Sequence, residues 1–152
     1  MIYMLKTLII LLTLTIVGCS TVNFKNMSVE EIIVKTNKNM HVWAITEFEV
    51  TSTGNGDFIN SGKWFLSSGR FYNSRESLNV HLSNQVVVEF KKKYGIKNVT
   101  ELQGKKIRVT GTAVPKEFCV TVGCPDAISM NRPKMYIQTQ LIIESIDNIQ
   151  LL

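Results

Sequence analysis

The chain has 152 residues, a length that suits one domain. Its formal charge is +5, from 17 Lys and Arg against 12 Asp and Glu. So mild an excess does not demand a polyanionic partner. It suits plain solubility as well as attraction to anionic lipid, nucleic acid or cell-wall polymer. With three cysteines and two histidines, His41 and His81, far from one another, the composition excludes a zinc ribbon, and no metal or cofactor is expected.

The first 18 residues do not belong to the fold. Lys6 gives a short positive start, Thr7 to Val17 is an almost unbroken apolar run, and small Gly18 follows. That is the order of a secretory signal, and it is the same whether translation starts at Met1 or Met4. The run is short for a bilayer span, which needs about 20 apolar residues. Read by residue type alone, the segment is a cleaved signal or an uncut anchor.

Ile16-Val17-Gly18-Cys19, followed by Ser20, resembles the cleavage signal of bacterial lipoproteins. The resemblance implies cleavage before Cys19, lipidation of that cysteine and a mature chain of charge +4, since Lys6 leaves with the signal (5 − 1). Each buried methylene contributes about 0.8 kcal/mol, so the several acyl chains of this family hold firmly where one does not. Ser20, rather than Asp, implies transfer to the outer membrane in Gram-negative members. Residues 20–27 then read as a tether, and residues 28–152 as the folded domain.

Export changes how the other cysteines are read. Cys119 and Cys124 bracket Val120-Thr121-Val122-Gly123, and an oxidising compartment favours bridging them. In the chain-entropy view a loop this short gains roughly 2 kcal/mol from the bridge. Free thiols and a metal site are the alternatives; the second lacks a nearby histidine.

The remaining elements follow in order. Ser28-Val29-Glu30-Glu31 matches a capping box and predicts a helix from Val29 to about Asn37, ended by Asn39. His41 to Val50 is rich in strand formers. Thr53 to Asp57 is a turn cluster, and a second strand is expected around Lys63-Trp64-Phe65-Leu66. A polar bend through Arg70 leads to a third strand with Leu78, Val80 and Leu82 on one face and Asn79, His81 and Ser83 on the other. Gln85 to Tyr94 reads as a helix closed by Gly95, with Val87, Phe90 and Tyr94 on one side; the alternative is that Val86-Val87-Val88 extends the third strand. Leu102 to Lys106 turns into a fourth strand carrying Ile107 and Val109, with a bend or bulge at Gly111. A cysteine hairpin ends near Pro133, and the last strand runs from Lys134 to about Ile143, trailed by Ile146.

Several of these segments resemble small bacterial OB-fold domains. They are Phe65-Leu66-Ser67-Ser68, Tyr72-Asn73-Ser74-Arg75, Leu78 to Leu82, Leu102-Gln103-Gly104-Lys105-Lys106-Ile107-Arg108-Val109-Thr110-Gly111, and Arg132-Pro133-Lys134-Met135-Tyr136-Ile137. Ser67 stands where that family usually has Asn, and the cysteine hairpin is an insertion. The resemblance spans residues 41–146. It implies a mainly β fold: a five-stranded OB-fold-like barrel with a helix between strands 3 and 4, here preceded by a short N-terminal helix.

No catalytic constellation is visible. His41 and His81 are isolated, no Gly-x-Ser-x-Gly elbow exists, and Glu47 and Glu49 share a strand face that solvation explains. OB-fold barrels often bind through aromatic and basic residues on strands 2 and 3. That makes Lys63, Trp64, Phe65, Arg70, Arg75 and His81 the candidate ligand face. The expectation is a membrane-bound, non-enzymatic module with an envelope-protein partner. Binding of single-stranded nucleic acid or another polyanion is the alternative, and export argues against nucleic acid.

Overall fold

The computed structural model of the chain describes residues 26–55, 63–70, 74–119 and 135–152. Helix α1 (Val29–Thr36) precedes strands β1 (Val42–Glu49), β2 (Ser52–Asn55), β3 (Trp64–Ser67) and β4 (Leu78–Leu82). Helix α2 (Asn84–Tyr94) and a 3-10 turn at Val99–Leu102 lead to β5 (Lys106–Cys119) and β6 (Met135–Ile143). A second 3-10 turn at Ile146–Asn148 ends in β7 (Ile149–Leu151). The described residues are mainly β, with one helix before the sheet and one within it.

Both helices are set by local chemistry. Ser28 caps α1, its hydroxyl accepting from the Glu31 amide at 3.1 Å, and Glu31 pairs with Lys35 one turn on at 3.1 Å. Ser83 caps α2 in the same way, accepting from the Val86 amide at 3.4 Å. Gly95, at φ 70°, closes α2 in the left-handed region, with its amide bonded to the Lys91 carbonyl at 2.9 Å. Val86 lies in the first turn of α2, after β4 has ended at Leu82, so the strand-extension alternative does not hold.

The strands form one sheet in the order β1-β5-β6-β4-β3-β2, with β7 also on β5. Every pair is antiparallel except β4–β6. The described residues form seven strands where five were expected, for two reasons. The first strand changes partner at residues 50–51. The Val50 amide donates to the Lys105 carbonyl and the Thr51 amide to the Ser67 carbonyl, both at 2.8 Å. Thr53, Gly54 and Asn55, read as a turn, therefore pair with Leu66, Phe65 and Trp64. At the far end, β7 lies along Ile107 to Val109, where β5 still has a free edge before β6 begins to pair. β1 and β2 stand at the two ends of the path, and among the described residues strand pairing does not close the sheet into a barrel.

Gly111 is no bulge. The β1–β5 register runs unbroken through it, with Gly111 opposite Ala44. A Cβ there would sit 3.3 Å from Leu141 Cδ2, so glycine is the residue that lets β6 pack close.

One face of the sheet carries the core. Alternation places Val42, Ala44, Phe48, Leu66, Leu78, Val80, Leu82, Ile107, Val109, Leu141 and Ile143 on it, all buried. Helix α2 docks there through Val86, Val87 and Phe90. Helix α1 docks through Ile32 and Thr36, whose hydroxyl lies 2.6 Å from that of Thr139 on β6. Thr139 shares its face with Leu141 and Ile143, so both helices lie on the core side. The fold also begins earlier than the tether boundary implied. Met27 is 7% exposed, and its amide donates to the Ile45 carbonyl at 2.9 Å, with Asn26 bridged in parallel to Ile45.

Candidate binding face

The same alternation that buries Leu66 and Val80 turns Phe65 and His81 to the opposite face. The β3–β4 register sets them directly across from one another. Their rings meet edge to face, with centroids 4.6 Å apart and planes at 87°. Such a pair stabilises by about 0.5–1.5 kcal/mol beyond its buried area. In the β4–β6 register His81 faces Ile142, which is 54% exposed. Thr112 and Trp43 prolong the row. Trp43 pairs with Thr112, and Thr112 precedes Ala113, which faces the Leu141 next to Ile142.

Burial is the main reason the His81 imidazole is pushed down to about 4, helped by the positive charges of Lys116 and Lys63. At neutral pH this ring is an uncharged aromatic with hydrogen-bonding nitrogens, in the positive field of two lysines. Phe65 and His81 are therefore in contact, with Lys63 two residues before Phe65; Lys116 acts on His81 through its charge, since its backbone lies opposite Gln138, four residues along β6 from Ile142.

Trp64 does not belong to this face. It is 3% exposed and points into the core, 6.5 Å from the Phe90 ring, with Lys91 Nζ 5.1 Å from its centroid. Its place between Lys63 and Phe65 fixes this, because adjacent strand residues point to opposite faces. Arg70 and Arg75 are exposed in the β3–β4 connection, and neither is among the charges that act on His81. Arg75 instead lines a separate cavity of about 370 Å³ with Asn37, Glu117 and Ile137. Lys116, Ile142 and Trp43 lie on strands whose outward positions were not singled out as ligand residues.

The neighbouring row is polar and buried. Ser67 faces Asn79, and Asn79 faces Gln140. Asn79 lies on the face opposite Leu78, Val80 and Leu82, as its alternation predicts, and is buried there between these two cross-strand neighbours. Gln140 donates to Gln138 at 2.9 Å, and Ser67 accepts from the Gly69 amide at 3.3 Å. Among the described residues, Asn79 Oδ1 and Gln140 Oε1 find no hydrogen-bond donor.

Glu47 is engaged with Lys106 at 2.9 Å and with Arg108, whose Nε donates at 2.8 Å. These bonds hold its carboxyl below the usual carboxylate range. It is the acidic centre of a surface ion-pair cluster. Glu30, Glu47, Glu49 and Glu76 line an open cleft at the start of α1. Among the described residues no group of three or more His, Cys, Asp or Glu is placed to hold a metal ion.

The described helices include none long and apolar enough to cross a membrane. Cys19 and Cys124 lie outside the described residues. Cys119 ends β5 with its backbone opposite Met135, and its side chain is likewise outside them. No protein-family model matches the chain, and no curated protein does.

Proposed function

We propose that the chain is an exported lipoprotein of the bacterial cell envelope, held by acyl chains on Cys19. Its folded part is a non-catalytic binding or assembly module. It contacts another envelope protein through the outer face of β3, β4 and β6. The observation that carries the contact face is the Phe65–His81 pair across β3 and β4, on the side of the sheet away from both helices. Ser20 favours the periplasmic side of an outer membrane.

The fold reading within this proposal is OB-type, with β1 and β2 as two halves of one bent first strand. The parallel β4–β6 pair, the helix between β4 and β5 and the change of partner at residues 50–51 support it. Cys119 and Cys124 form a disulfide in the mature protein; intact mass before and after reduction tests that bond.

Two experiments test the function. Labelled palmitate should enter the wild-type chain and not Cys19→Ser. A photo-crosslinking amino acid at Phe65 in intact envelopes should give a discrete protein adduct. One at Val88, exposed on α2, is the control. No adduct at Phe65 above that control would sink the assembly reading.

A second reading has its own observation: Lys63 and Lys116 act on His81 beside Phe65. That combination suits a polyanion, including single-stranded nucleic acid. It requires oligonucleotide binding that falls steeply with salt and is lost in Lys63→Glu/Lys116→Glu. Export keeps this reading second.

A further inference from the structure

We propose that the bilayer holding the anchor is also bound by the fold, through the outward row Trp43–Thr112–Ile142 on β1, β5 and β6. The proposal rests on lipidation of Cys19. Among the described residues, Trp43 (49% exposed) and Ile142 are the exposed large apolar side chains on the sheet strands. Register sets them on either side of Thr112, so the three form one continuous strip. Two strand spacings separate the ends, roughly 10 Å.

The occupant follows from where the anchored chain joins the fold. Asn26 bridges to Ile45, two residues along β1 from Trp43 and about 7 Å away. Residues 20–25 connect it to Cys19, and even fully extended that stretch reaches only about 25 Å. A domain of this length has a radius of gyration of about 14 Å, hence a width greater than the tether. The β1 side of the sheet is therefore held toward the lipid, and the far side cannot reach it. Trp43 is the residue type that settles at a membrane interface, with its ring in the acyl boundary and its N–H among the headgroups. Ile142 adds apolar area beside it.

The test uses the chain's two tryptophans, of which Trp64 is buried. The mature lipidated protein is placed in phosphatidylcholine–phosphatidylglycerol vesicles, with and without brominated acyl chains. Trp43 emission should shift to the blue relative to the water-soluble Cys19→Ser chain and be lost in brominated vesicles. Trp43→Phe should leave an emission that bromine does not touch. Ile142→Glu, at an exposed position, should return Trp43 to quenching by aqueous iodide. If the protein floats with the vesicles while Trp43 stays open to iodide and blind to bromine, the inference is overturned and the anchor stands. If the chain carries no acyl groups and does not float, the lipoprotein reading itself has failed. Shielding of Trp43 in the Cys19→Ser chain as protein concentration rises, without lipid, would overturn the inference in favour of a second copy.

Discussion

A histidine kept neutral by its surroundings makes stability depend on pH in a defined direction. His81 titrates near 6.5 in an unfolded chain and at about 4 in the fold. Its contribution is fully present above pH 6.5 and is lost as pH falls from 6.5 toward 4. Below that both states carry the proton and the loss levels off. The whole step is worth up to roughly 3 kcal/mol. Denaturant midpoints at pH 7.5 and 4.5 should differ less in His81→Gln than in the wild type. An equal difference would mean that the imidazole is already solvated. Thr36 and Thr139 form a second residue-scale test, because their hydroxyls meet at 2.6 Å inside the protein. Thr36→Val should cost about 1–3 kcal/mol by stranding the Thr139 hydroxyl, and Thr36→Val/Thr139→Val should recover much of it. Urea titration of the two variants measures both effects.

At the scale of elements, β5 carries the most connections. It pairs with β1, β6 and β7, and its length lets it change partners along the way. Gly111 sits at that handover. Its sequence context suggested a kink, but the observed reason for glycine is the approach of Leu141 from β6. Gly111→Val should destabilise by roughly 1–3 kcal/mol through overpacking, with partial rescue by Leu141→Ala. A bulge-forming glycine would show no such coupling in the double-mutant cycle. The helices were legible because their signals are local: Ser28 and Ser83 at the starts, Asn39 and Gly95 at the ends. β2 and β7 were not, since a strand containing Gly54 and Asn55 exists only because β3 offers it a partner.

For the whole molecule, the sheet separates two tasks. One face receives both helices and makes the core; the other carries the Phe65–His81 pair and the Trp43–Ile142 strip. Phe90 joins α2 to that core. It is fully buried, packed against Trp64 and, with centroids 4.6 Å apart, against Tyr94. Phe90→Ala should lower stability by about 3–5 kcal/mol, read from guanidinium unfolding. A much smaller loss would mean that α2 docks without this ring.

The sequence by itself determined the mainly β class, the two helices and their caps, and the inward set Leu78, Val80 and Leu82. Each of these is encoded by neighbours within a turn or by alternation along a strand. It also placed Phe65 and His81 as candidates. Tertiary structure decided that Arg75 goes to a different cavity, and that Ile142 and Trp43 come into line with Phe65 and His81. Alternation along β3 turns Trp64 inward once Phe65 faces out, whereas the alignment of Ile142 with Trp43 depends on strand register. The local apolar pattern says which residues of a strand face the core, but which strand it pairs with, across tens of residues, is decided by the fold. Met27 follows the same rule: it is an ordinary tether residue in sequence until the Ile45 carbonyl holds it against β1.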